Sequence, residues 1–246
     1  MPLPQSNGPG DDENTICYIA EHAIRRLLNR VHFLLYSPVS GMSSSEPADP
    51  TQIWQNLGLQ KLQWLSCELD RQLEEWYSSI PDPLRPPKGT SALPTDRLRV
   101  LRLRYYAAKH IIHRPYIIQT VMRQWEASSP GSPATPSSSH FNEPAPVIIE
   151  MCRVCIDSCV NYLYNAVEMI GKRSSYLWSI SQSCMACLIL LWMADGCASL
   201  RHLVPNMHSI QGMILARLRK WATRGSSFDA EARIIEKLLF SDPMVT

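Results

Sequence analysis

Apolar residues recur at helical spacing in seven stretches of the chain, and polar residues or prolines separate the stretches. The predicted helices lie at 16–37, 54–76, 96–125, 147–170, 175–194, 206–221 and 228–240. The third contains Pro115, and the last follows Ser226-x-x-Asp229, a variant of the capping box. No stretch alternates apolar and polar residues as a strand does, and no segment repeats. The pattern predicts an all-α fold, a bundle-like arrangement of several helices.

Two segments lack this periodicity and divide the chain. The polar N-terminus, 1–14, is predicted to be disordered. The stretch 127–146 contains six Ser and five Pro, which is typical of a flexible linker. We therefore expect one helical regulatory region in two parts, 15–126 and 147–241, with the Ser/Pro-rich linker as a disordered insertion.

Composition supports a globular helical protein rather than a nucleic-acid-binding one. Apolar residues make up 45% of the 246 residues and charged residues 19%. The net charge is only +2, too small for bulk electrostatics to attract DNA. The N-terminus has no basic and apolar signal segment, so we expect synthesis in the cytosol, where the eight cysteines stay as thiols.

The cysteines are the first candidates for chemistry, because paired CxxC motifs can bind zinc. On helical wheels the cysteines share stripes with leucines and isoleucines, which favours packing as small apolar side chains. We therefore expect core thiols and no metal ligands, and a helical metal-binding protein is the alternative. The residues concerned are Cys152, Cys155, Cys159, Cys184, Cys187 and Cys197.

An arginine-rich segment, Arg97–Arg104, begins the third helix. On a helical wheel this helix is apolar over most of its circumference and has one polar strip. We expect the strip to be exposed to solvent, where it could make at most sequence-independent contacts with phosphate or with an acidic partner. Arg104 falls between apolar arcs, where a guanidinium needs a carboxylate partner. The strip contains Arg99, Arg102, Tyr106, Lys109, His110 and His113.

His110-x-x-His113 could present two imidazoles to a metal, but no third ligand follows in sequence, so both are predicted as surface histidines. The motifs GxSxG and HExxH and a phosphate-binding glycine loop are absent from the sequence. We therefore expect no enzymatic activity, no catalytic residue and no cofactor.

The segment between Arg173 and Asp195 carries no formal charge and approaches the length that spans a bilayer. Serines crowd its first half and the other helices offer matching apolar faces, which favours a buried core helix. A membrane-associated protein that uses 175–194 as a span is the alternative.

Three segments carry a family resemblance. Ala20–Arg30 resembles the pattern Ala-Glu-x-x-Leu-Arg-Arg-Leu-x-Asn-Arg, and Leu73–Pro81 resembles Leu-x-x-Trp-x-x-x-Leu-Pro. Arg104–Tyr116 is similar to a helix that ends in Arg-Pro. Together they resemble the fungal-specific regulatory, or middle homology, region of zinc-cluster transcription factors. Weaker similarities follow at Cys152–Cys159, Tyr176–Trp178, Leu200–Pro205 and Arg217–Trp221.

The resemblance implies an α-helical regulatory region of a nuclear transcription factor that controls metabolic or secondary-metabolite genes. These factors usually begin with a basic six-cysteine zinc cluster, whereas Met1 opens at what resembles the regulatory region. We therefore expect a transcriptional regulator without its own DNA-binding cluster. The expected partners are other transcription proteins, with a second copy of the chain or a small-molecule effector as alternatives, and no membrane.

Overall fold

A computed structural model describes residues 9–37, 58–128 and 144–240. Seven α-helices occupy most of these residues, and no strand occurs among them. The all-α prediction is confirmed. The helices are α1 (Pro9–Tyr36), α2 (Leu59–Ser79), α3 (Asp96–Ser128), α4 (Pro146–Ile170), α5 (Leu177–Asp195), α6 (Met207–Leu218) and α7 (Ser227–Phe240).

Most helix boundaries follow the apolar stripes, with two notable differences. Helix α1 begins at Pro9 and so includes residues 9–14 of the segment predicted as disordered, while 1–8 lie outside the described residues. Helix α2 begins at Leu59, and the predicted start at Trp54 also lies outside them. Of the predicted linker 127–146, residues 129–143 are not described.

The chain forms two compact units, Met1–Ala108 and Lys109–Thr246. The boundary between them falls within α3 rather than in the predicted linker, and α3 continues as a helix through Pro115.

The first unit is built on the packing of α1 against α2. Both helices bury one apolar face, because leucines and isoleucines recur every three or four residues on it. The indole of Trp76 on α2 is also buried, and its Nε1–H donates to the carbonyl oxygen of Ala20 on α1 at 2.9 Å. The fully buried side chains of this face are Ile24, Val31, Leu35, Leu62 and Leu73.

The second unit contains α4 to α7 and the part of α3 from Lys109 onward. Helix α4 packs against α5 and α6, and α7 packs against α6 and α5. The Nε1–H of Trp221, just after α6, donates to the carbonyl oxygen of Ile170, the last residue of α4, at 2.7 Å. This bond satisfies one of the carbonyl groups that a helix C-terminus leaves without an intrahelical partner.

The predicted cap at the start of α7 is confirmed. The hydroxyl of Ser226 accepts the backbone N–H of Asp229 at 3.2 Å, and the Asp229 carboxylate accepts the backbone N–H of Gly225 at 3.0 Å. Gly225 has φ 83°, a conformation that side chains with a Cβ rarely adopt. Gly225 therefore turns the chain so that the cap can form.

Candidate functional sites

Two arginines of the predicted polar strip, Arg99 and Arg102, bind neighbouring loop atoms instead of lying in solvent. The guanidinium of Arg102 donates to the carbonyl oxygens of Ser91, at 2.6 Å, and Pro87, at 3.3 Å. Only 4% of Arg102 is exposed. The prediction of an exposed strip is wrong at this residue, because loop carbonyls supply the acceptors that allow a guanidinium to be buried.

Two neighbouring arginines are also engaged within the first unit. Arg99 forms an ion pair with Asp96 at 2.6 Å and donates to the carbonyl oxygen of Leu93 at 2.5 Å. Arg104 lies 3.7 Å from the carboxylate of Glu21, which is the carboxylate partner that the sequence required. The arginine side chains therefore hold the segment before α3 and contact α1.

A second polar cluster surrounds Glu74 on α2. Its carboxylate accepts the hydroxyl of Tyr105 at 2.6 Å and forms an ion pair with Lys88 at 2.7 Å. The Lys88 ammonium lies 4.8 Å from the ring centroids of both Tyr77 and Tyr105. Tyr106, which the sequence placed in the exposed strip, is buried, and its hydroxyl accepts the backbone N–H of Gly89. Tyr105 and Tyr106 therefore anchor the loop between α2 and α3.

Both histidines of the His110-x-x-His113 motif are buried, so the prediction of surface histidines is wrong. His110 is 1% exposed and His113 2%. Burial and, to a smaller extent, the charge of Arg114 together lower the pKa of His110 to about 3, so its imidazole is neutral at physiological pH. Neither Nδ1 nor Nε2 of His110 has a hydrogen-bond partner among the described residues.

The cysteines of the second unit are buried thiols, as the apolar stripes predicted. Burial raises the pKa of Cys152 to about 12 and raises the pKa values of Cys155, Cys159 and Cys184 well above the ordinary range. The raised pKa values keep these thiols protonated in the metal-free protein, and the thiol is a weaker nucleophile than the thiolate. The eighth cysteine of the chain, Cys67 on α2, is exposed.

Three side chains that commonly bind metals come together in the second unit. They are His110 of α3, Cys159 of α4 and Cys187 of α5, and all three are buried. One ring nitrogen of His110 and the two Sγ atoms lie within 4.8 Å of one another. Spacing in the sequence paired the cysteines through CxxC and His110 with His113, so it could not reveal a cluster with one residue from each of three helices.

Among the described helices, α5 alone is long and apolar enough to cross a bilayer by length and composition. Ten of its side chains are buried against the protein, and core helices commonly pass the same test. Among the serines of its first half, Ser181 donates to the carboxylate of Glu231 on α7 at 3.4 Å, which is a polar contact with another helix of the protein. The packing of α5 favours a core helix.

Several large apolar side chains are exposed on the helices. Isolated exposed apolar residues are common in soluble proteins, so exposure alone assigns no partner to them. They include Tyr18, Ile19, Phe33, Trp64, Trp125, Trp178 and Tyr164.

Among curated proteins, the chain is similar to an Aspergillus rugulosus protein described as "Putative transcription factor ecdB", with 25% identity over 179 residues. The match covers 69% of this chain and 26% of that protein, so the chain spans about a quarter of the length of the curated relative it matches. No family model and no solved structure matches the chain. The similarity is to a transcription-factor-like protein.

Proposed function

We propose that this chain is the regulatory region of a transcriptional regulator of the fungal zinc-cluster type and acts through contacts with other proteins. Similarity to the Aspergillus transcription factor carries the proposal. The all-helical fold agrees with it, since the regulatory region suggested by the three sequence segments is also helical. The proposal assigns no catalytic residue to the chain and places the protein in the nucleus.

The engagement of the α3 arginines supports action through protein contacts rather than through DNA. Sequence-specific recognition requires an element whose side chains reach base edges. Arg99, Arg102 and Arg104 instead bind a carboxylate or backbone carbonyl groups of the first unit. We propose that promoters are reached through a partner protein, and that the regulated genes serve metabolism or secondary metabolism.

A tethering experiment tests the regulatory role. The chain is fused to a heterologous DNA-binding domain in a fungal host that carries a matching reporter. We expect a reproducible change in reporter expression, in either direction, and nuclear accumulation of a fluorescent version of the unfused chain.

The matched control is Leu188→Asp, because Leu188 is fully buried on α5 and a carboxylate there should unfold the second unit. At equal abundance this variant should lose the effect. An abundant wild-type fusion that leaves the reporter unchanged, or a variant that is as effective as the wild type, contradicts the proposal.

A further inference from the structure

The cluster of His110, Cys159 and Cys187 lies in the core of the second unit, and a role for it goes beyond the proposed function, which assigns no metal to the chain. We propose that these three side chains form a zinc site that joins α3, α4 and α5 in the second unit. This differs from the metal-free core expected from the sequence, and the structural observation behind it is the position of His110.

A histidine at the buried position of His110 destabilises the fold unless its ring nitrogens bind a partner. Both ring nitrogens are buried without a hydrogen-bond partner among the described residues. A buried polar group without a partner costs on the order of 1–3 kcal/mol, whereas a phenylalanine would fill a similar volume without that cost. The neutral imidazole is, however, the form of histidine that binds metals, and here it lies beside two thiols.

The chemistry of the three ligands selects zinc. Cysteine sulfur and histidine nitrogen are the common zinc ligands, and the cluster contains none of the oxygen ligands that calcium and magnesium require. On binding, the two thiols lose their protons to solvent, two Zn–S bonds and one Zn–N bond form, and no electron is transferred. The dication and the two thiolates cancel, so the site carries no net charge within an apolar core.

The geometry needs only a small adjustment. The three ligand atoms lie within 4.8 Å of one another, and tetrahedral zinc with bonds of about 2.3 Å places two sulfurs about 3.8 Å apart. A contraction of about 1 Å is within the range of side-chain rotation. Because the site is enclosed, we expect the metal to be bound during folding and to exchange slowly.

Cys155 is the candidate for the fourth ligand of a closed structural site, although its Sγ atom lies outside the group of ligand atoms within 4.8 Å. It precedes Cys159 by one helical turn, and its thiol donates to the carbonyl oxygen of His110 at 3.4 Å. A third thiolate would leave one negative charge on the site. Arg114 lies close enough for its positive charge to favour the thiolates of Cys155, Cys159 and Cys187.

The test measures metal content in the full chain, expressed and purified under reducing conditions. All proteins carry Cys67→Ser, so that the exposed thiol cannot bind metal adventitiously. We expect about one zinc per chain by elemental analysis. After exchange with cobalt, we expect the visible absorption bands of tetrahedral cobalt and a thiolate charge-transfer band.

Three variants and one control separate a metal site from simple packing. His110→Phe, Cys159→Ala and Cys187→Ala should each weaken zinc binding at least about 100-fold, since each removes a ligand. Cys184→Ala is the control, because Cys184 is equally buried on α5 but lies outside the cluster, and it should keep the zinc. The melting temperature of His110→Phe also distinguishes a zinc site from a packed core. The variant should melt at a higher temperature if His110 only packs, and at a lower temperature if His110 binds zinc.

Several outcomes would overturn the proposal. If the parent protein with Cys67→Ser alone contains no zinc and shows no cobalt bands, the three side chains only pack together. The same conclusion follows if adding His110→Phe makes that protein more stable. Zinc that survives in His110→Phe would exclude this ligand set. A Cys159–Cys187 disulfide that survives purification under reducing conditions would leave no thiolates to bind zinc and would also overturn the proposal.

Discussion

Two tryptophans of α2, Trp76 and Trp64, differ in burial and in whether they form a hydrogen bond to another helix. Trp76 and Trp64 both lie on α2, but Trp76 is 8% exposed and Trp64 is 66% exposed. Only for Trp76 does the structure show a bond between helices, from its indole N–H to the carbonyl oxygen of Ala20. The two tryptophans therefore form a natural pair for comparison.

We expect Trp76→Phe to lower the free energy of unfolding by about 1–3 kcal/mol, because the variant loses a buried hydrogen bond and part of a packed ring. Trp64→Phe should change it by less than about 0.5 kcal/mol. Urea unfolding followed by circular dichroism measures both. Equal losses in the two variants would show that the α1–α2 contact does not depend on Trp76.

Glu231 on α7 is a buried carboxylate with a pH-dependent contribution. Burial raises its pKa above the ordinary 4.5, although hydrogen bonds from Ser181 and Gln182 partly oppose the shift. The folded chain therefore holds the proton more tightly than the unfolded chain does. The stabilisation is present below pH 4.5 and is lost as the pH rises through the raised pKa of the folded state.

We expect Glu231→Gln to be more stable than the wild type at about pH 7 and equally stable at about pH 4, since glutamine is neutral at both. Melting temperatures across this range test the sign. Glu150→Gln is the control, because Glu150 is exposed and pairs only with Arg153 among the ion pairs that the structure shows for it. A Glu231 variant whose advantage grows toward acid pH would reverse the argument.

The positions of the helices could be predicted from the sequence. Which of their side chains are buried could be predicted only in part. The spacing of apolar residues indicates which face of α4 and of α5 is buried. It therefore placed five cysteines of these helices, and Cys197 just after α5, correctly in the core. The same method failed for His110 and Arg102, because a wheel assigns polar residues to solvent. It contains no information about loop carbonyls or about thiols on other helices.

The capping box of α7 was predictable because all its atoms lie within a few residues of one another. We expect Ser226→Ala to lower the stability of the second unit by about 1 kcal/mol, since the backbone N–H of Asp229 loses its acceptor. Ser227→Ala is the control at the neighbouring exposed position. Thermal unfolding compares the two, and a cap that contributes nothing would leave the variants identical.

For the whole molecule, charge and its placement decide what DNA binding to expect. The chain has 24 Lys and Arg against 22 Asp and Glu, and Arg99, Arg102 and Arg104 at the start of α3 already have partners. Residual attraction to phosphate should be independent of sequence and should fade with salt.

We therefore expect the purified chain to show no sequence-selective binding to promoter DNA at roughly physiological salt. A gel-shift assay with competitor DNA measures this. A shift that survives nonspecific competitor and disappears when one short sequence is scrambled would mean that the chain reads bases itself.

The uneven exposure of the cysteines has a practical consequence for work on this protein. Cys67 is exposed while the other seven cysteines are buried. A maleimide dye should therefore attach at one position in the native chain and at eight after unfolding in a denaturant that contains a chelator, and intact mass spectrometry counts the adducts. The unmodified sequence thus provides a single attachment point on α2 for fluorescence or spin probes, and reporting on partner binding requires no engineered cysteine.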